Sequence, residues 1–276
     1  MEYTGCWNGI VIVGGAIVLS LAILTAVRRL FSAETLREGH DLTGAMLAIV
    51  GTLYAVLLGL VVVDAMARFE RAMDIVQLES NSLGDVFLLA SRLPQPQRER
   101  VQNLCRSYAK QVVEVEWPAM ARARMSVVAR QTALSLAKAL DDFEPQTEAH
   151  KTVYPAILEN VALLWDQRRE RAGTALYGIP VVEWVVLGLG AAVLVFFAGL
   201  FSVGSPRLQM VVTSLMAVVI GLNLYLVCLF GYPFAGELSV SHRPFDIDID
   251  VFRGVYDDRP AHEGEEHAET TVLPGT

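Results

Sequence analysis

Four apolar runs, split two and two around one long polar stretch, constrain this chain more than any other feature. They cover Asn8–Val27, Leu42–Val63, Val181–Val203 and Leu208–Phe230. A helix needs about 20 largely apolar residues to cross a bilayer core, and each run meets that length. Residues 64–180 carry 15 Lys/Arg and 15 Asp/Glu and cannot reside in lipid. The expected fold is all-α and integral to a membrane. Residues 8–63 hold spans one and two, 64–180 a water-exposed helical domain, 181–230 spans three and four, and 231–276 an acidic C-terminal tail.

Charge narrows the partners. The middle domain is neutral, whereas ten acidic residues face three Arg from Gly231 onward, which accounts for most of the net charge of −8. Such a tail repels nucleic acid and anionic surfaces and attracts cations. The expected partners are therefore the lipid bilayer, ions and further copies of the same chain, with no nucleic acid. Cys6, Cys105 and Cys228 show no zinc or redox spacing. No Lys or Arg precedes the first run and no small-residue cleavage site follows it, so the first span is expected to remain as an anchor.

Four spans place both termini and the middle domain on one side. Arg28, Arg29, Arg37 and Arg207 lie in the opposite loops. Arg68, Arg71, Arg168, Arg169, Arg171 and Arg243 flank the domain side, a narrow majority for a cytoplasmic domain in a multi-pass cell-membrane protein.

From Leu42 to about Arg92 there is no proline, and beyond Asp64 an apolar stripe continues through Phe69, Met73, Val76, Ser80, Leu83, Phe87 and Ala90. One helix of roughly 75 Å is expected to run through lipid and far beyond it. Pro94 and Pro96 end it. A second amphipathic helix presents Val101, Leu104, Tyr108, Val112 and Val115, with Pro118 interrupting, and a third runs to about Leu140. Residues 141–145 read as a turn. A last soluble helix is expected over Pro155–Tyr177, continuing past a kink at Pro180 into span three. After Phe230 the chain reads as irregular, with 258–276 disordered.

Several local signatures together resemble the bacterial bestrophin-like domain family. They are Gly51-Thr52-Leu53-Tyr54-Ala55-Val56-Leu57-Leu58-Gly59 in span two, Glu79-Ser80-Asn81-Ser82-Leu83-Gly84-Asp85 below it, and Tyr108-Ala109 with Trp117-Pro118. Arg168-Arg169-Glu170-Arg171, Pro180 opening span three, and Pro233-Phe234-Ala235-Gly236 after span four complete the set. Two positions depart: Gly231 stands where an acidic residue is expected, and Met66 where an aromatic often ends span two. The resemblance implies a fold related to bestrophins, which are pentameric anion channels with cytosolic helical extensions. It implies a homo-oligomer, by likeness a pentamer, as the functional form.

Candidate residues follow. Gly51, Ala55 and Gly59 form a small-residue face on span two, suited either to packing within one chain or to packing around a shared pore. Asp64 either contributes a charged ring at a pore mouth or marks the helix leaving lipid, with Arg68 one turn on to neutralise it. Glu183 beside Trp184 is an edge charge of span three, and Thr213 and Asn223 are expected to bond between helices. Glu79, Asn81 and Asp85 are expected to meet Arg168, Arg169 and Arg171 in a structural ion-pair network. Asp246, Asp248 and Asp250 repeat every second residue. An EF-hand needs Gly and Glu where Val251 and Asp257 stand, so that loop is rejected, while a looser Ca²⁺ clasp stays open. No other cofactor is expected. No hydrolase, zincin, Walker or dinucleotide motif is present, and the histidines are scattered, so the chain does not read as an enzyme. Two readings remain: an oligomeric ion channel lined by span two, or a membrane-anchored sensor or scaffold recruiting partners through its helical domain.

Overall fold

A computed structural model of the protein describes residues 4–254, apart from 33, 35, 37, 38, 142, 202–204 and 237, and side chains from residue 9 onward. The stretch expected to be disordered, 258–276, lies outside the described residues, as do Arg37 and Asp257. The architecture is all-α, and no strand occurs among the described residues.

Four helices have the length and apolarity to cross a membrane. The first, α1, is Thr4–Leu30. The second, α2, is a single unbroken helix of 51 residues, His40–Ala90. At 1.5 Å per residue it is about 75 Å long, and it continues through Asp64 without a break. Span three, α7, is Val181–Leu200, and span four, α8, is Pro206–Gly231. Between spans two and three lie α3 (Gln97–Gln111), a π-helical turn (Val112–Glu116), α4 (Trp117–Met120), α5 (Val127–Asp141) and α6 (Glu148–Leu176). A further helix, α9 (Arg243–Phe252), follows the last span.

Two apolar cores stack along α2. In the membrane half, Tyr54 and Leu58 of α2 pack with Leu187, Leu194, Val195, Ile220 and Val227 of spans three and four. In the water-exposed half, Phe69, Val76, Leu83, Val86 and Phe87 pack with Val101, Tyr108, Leu136, Ile157 and Leu164. Here α2 runs alongside α6, and α1 lies along α8.

Small residues set the close approaches. A Cβ on Gly221 would lie 3.0 Å from the Val13 Cα, so α1 and α8 touch backbone to backbone. A Cβ on Gly190 would come within 2.6 Å of the Tyr54 ring, whose hydroxyl donates to the Leu187 carbonyl at 3.2 Å. Gly190→Ala is therefore expected to cost about 1–3 kcal/mol by overpacking, read as a lower melting temperature in detergent. At the far end of spans three and four, buried Gln209 donates to the carbonyls of Ala198, Gly199 and Phe201 at 3.3, 3.2 and 3.1 Å. These are carbonyls that the end of α7 leaves unpaired, and lipid offers them no substitute partner. Arg28 in turn donates to the Gln209 side-chain oxygen.

The structure corrects several local expectations. Thr147 caps α6 through its hydroxyl, 3.2 Å from the His150 amide, so the helix starts at Glu148 and carries Pro155 inside it. It stops at Leu176 and does not continue into span three; Tyr177–Pro180 are non-helical. Met73 is exposed, so the apolar stripe of α2 skips it. Asn223 donates to Val219 of its own helix at 2.9 Å rather than across to another. The segment read as irregular after Phe230 contains α9, with Phe245 and Phe252 buried.

Candidate functional site

The helix α2 is amphipathic in an unusual sense: one side is buried by its own chain and the opposite side is left exposed by the described residues. Leu53, Val56, Leu60, Val63, Ala67, Glu70, Asp74, Gln77, Asn81, Asp85 and Leu88 recur every third or fourth residue, and all are exposed. This side changes character along its length. The part within lipid is wholly apolar, with Leu53, Val56, Leu60 and Val63 each at least 58% exposed. The part beyond it is acidic, through Glu70, Asp74 and Asp85. Neither Glu70 nor Asp74 has an ion-pair partner among the described residues. Only 11% of the most apolar window of α2 is buried, against 28% for α8, so span two is packed least by its own chain.

The small residues singled out from the sequence lie off this stripe. Gly51 faces Leu194 within the chain, where an added Cβ would lie 3.6 Å from the Leu194 Cδ1, an ordinary contact, whereas Ala55 and Gly59 are exposed at the stripe's edge. Asp64 accepts from Arg68 at 2.7 Å and lines a cavity of about 300 Å³ with Arg71, Thr174, Tyr177 and Pro233. Glu183 lies in the first turn of α7, where the helix dipole favours a carboxylate.

A buried four-charge network holds the stalk behind the stripe. Arg171 Nε and Nη2 contact Glu79 at 2.6 and 2.9 Å, and Nη2 also reaches Glu116 at 2.9 Å. Arg168 grips Glu116 with both terminal nitrogens at 2.9 and 2.7 Å. Tyr108 donates to Glu79, and the Arg171 guanidinium lies 5.6 Å from the Trp117 ring centre. Two carboxylates thus meet two guanidiniums with almost no water access, from α2, the π turn and α6. Burial works against charge on Arg171, yet Glu79 and Glu116 hold its pKa above the ordinary value. Burial pushes the Glu116 carboxyl upward, and the two arginines pull it back. Burial and the adjacent Glu79 raise the Tyr108 hydroxyl, so it stays a donor.

Three members, Glu79, Arg168 and Arg171, were among the expected set, but the remainder of that set stands elsewhere. Asn81 accepts from Gln77 on the exposed side, Asp85 is exposed, and Arg169 pairs with Asp166 at the surface. Glu79 points inward because it falls on the α2 face shared with Leu83 and Val86, whereas Asn81 and Asp85 fall on the stripe. Glu116 was missed because the π turn shifts the register by one residue: Val115 is turned out to 47% exposure and Glu116 in to 0%.

Asp246, Asp248 and Asp250 lie on α9, not on a loop, and take different partners. Asp246 meets His242 at 2.7 Å, Asp250 lies 3.9 Å from Arg253, and Asp248 accepts from Ser80 of α2 at 2.6 Å. Among the described residues no three His, Cys, Asp or Glu side chains group as a metal site. Instead α9 docks on the stalk: Phe252 stacks on Phe87 at 4.1 Å, and Arg106 donates to the Phe252 carbonyl. Burial, together with Asp85, pushes the Asp248 carboxyl up to about 7, against the hydrogen bond from Ser80. The nearby α3 presents Cys105 and Arg106 to the same spot. A raised carboxyl favours the docked state when protonated. Docking is therefore expected to be firmest below about pH 4 and to weaken as pH rises toward about 7. Protection of the α9 amides, relative to their intrinsic exchange rates, should fall across that window, and Asp248→Asn should remove that fall.

Residues 14–245 match the Bestrophin-like domain family. The chain belongs to that family. No curated protein matches. A crystal structure of a bacterial Bestrophin homolog from Klebsiella pneumoniae, carrying a point mutation, is similar at a TM-score of 0.65 and 10% identity, covering 90% of this chain and 99% of that one. Another structure of a bacterial Bestrophin homolog from the same organism gives 0.62 at 11% identity, covering 90% and 99%. A crystal structure described as a membrane protein gives 0.63 at 12% identity over 90% and 99%. At such identities the likeness is one of fold. This bestrophin-like chain also accounts for its own departures. The Ile179 side chain fills the space beside Gly231, so an acidic side chain there would have to displace it. Met66 is exposed beside the free stripe.

Proposed function

We propose that this bestrophin-like protein is a homo-oligomeric ion channel whose pathway is lined by the free side of α2. The observation that carries the reading is the unpartnered stripe, apolar through the bilayer and acidic beyond it. Around a symmetry axis, Leu53, Val56, Leu60 and Val63 would form a hydrophobic constriction that gates by wetting. Glu70 and Asp74 would form carboxylate rings below it, which favour cations over anions. That sign differs from the anion conduction implied by resemblance to bestrophins. Five copies fit the family likeness, and the soluble domain would face the cytoplasm.

Reconstitution of the purified full chain into planar bilayers under a NaCl gradient tests the reading. Currents with a reversal potential displaced toward the cation equilibrium are expected. A folded protein that stays monomeric and passes no current in any salt would overturn it and leave a membrane-anchored scaffold. Protease access to residues 64–180 in inverted vesicles tests the orientation.

A further inference from the structure

The geometry points to a second binding site, for a small amphipathic anion, in the cleft between the start of α5 and the membrane-proximal end of α6. This cavity of about 310 Å³ is within the size range of small-ligand sites. Its polar wall is Ser126, Arg130, Arg168 and Arg169, and no acidic side chain lines it; Trp165 and Leu176 contribute to an apolar wall. Arg130 is exposed, with no carboxylate partner among the described residues.

Arg168 supplies the independent observation. It is 3% exposed, and both terminal nitrogens are used on Glu116, one also reaching the Ser126 carbonyl at 3.3 Å. Its Nε is buried with no hydrogen-bond partner, one of two such side-chain atoms among the described residues. A buried N–H left unpaired is unfavourable, so an oxyanion delivered there would gain a charge-assisted bond. The apolar wall selects a body attached to that head. Leu176 closes α6 five residues before α7 begins, so the cleft stands at the shoulder of the membrane. The oxyanion could belong to a lipid headgroup or to a free carboxylate, and the two share the same recognition chemistry.

Binding is read from Trp165 fluorescence of the full chain in dodecyl maltoside, with Trp165→Phe identifying the signal. Sodium octanoate probes the soluble source, dihexanoyl phosphatidylglycerol the lipid source, and octanamide is the uncharged control. A saturable change with either anion and none with octanamide is expected, and the anion that saturates names the source. Arg130→Gln, an exposed change that leaves the melting temperature in place, should weaken binding about tenfold or more. Failure of both anions to saturate, equal binding of octanamide, or unchanged affinity in Arg130→Gln would overturn the site. No current is needed, so the result is independent of the conduction reading.

Discussion

Replacing Glu116 by glutamine is expected to destabilise the protein by about 3–5 kcal/mol, the largest single-site effect in the soluble domain. The reason is the company it keeps. Glu116 accepts from Arg168 and Arg171 together, and all three side chains are at most 4% exposed. Without its charge, Glu79 would still pair with Arg171, but Arg168 would lose its one carboxylate partner among the described residues and stand as an uncompensated positive charge in a site closed to water. A fully apolar replacement of the group would be far milder, because the desolvation of four charged groups largely offsets their attraction. Loss of one partner, not the presence of the network, is what costs. Chemical denaturation of Glu116→Gln, Arg168→Met and the double variant checks this. The double variant should be more stable than the sum of the single losses predicts, by at least about 1 kcal/mol. Additive losses would mean that the pair is not coupled.

Neutralising the two carboxylates below the proposed constriction should act on selectivity and leave the fold intact. Glu70 and Asp74 are exposed and have no ion-pair partner among the described residues, so Glu70→Gln with Asp74→Asn removes no ion pair among them. In an oligomer the pair removes two rings of negative charge at once. The reversal potential under a salt gradient should move toward zero, and the cation current should fall several-fold in dilute salt. The fall should shrink near 1 M salt, where the screening length is about 3 Å against about 30 Å at 0.01 M. Unaltered selectivity in a well-folded double variant would place the permeation path away from α2.

Much of this architecture is legible in the chain because lipid is an exacting solvent. Each crossing must bond its backbone internally and hide it behind about 20 apolar residues, and such runs are plain to see. The absence of proline from Leu42 to Arg92 announced the long α2 for the same backbone reason. Glu79, Arg168 and Arg171 were readable because their helices leave the same membrane face at similar distances. Glu116 was not, since only a π turn brings it inward, and no spacing rule anticipates the extra residue. The helix α9 was obscured by alternating aspartates, although Phe245, Ile249 and Phe252 follow helical spacing and would have signalled it. The free side of α2 is not the one that Gly51, Ala55 and Gly59 mark. Their smallness pointed to packing, whereas the larger Leu53, Val56, Leu60 and Val63 are the residues left exposed. Which side of a long amphipathic helix its own chain covers is decided by tertiary contacts, chiefly with α6, α7 and α8.

An image of the protein assembled in lipid, resolved well enough to count subunits and follow α2, tests the central claim most directly. The account predicts a closed ring of identical chains with Val56, Leu60 and Val63 converging on the axis and Glu70 and Asp74 facing the water-filled space beneath. A monomer, or a ring in which that side of α2 faces lipid while another helix lines the axis, would contradict it.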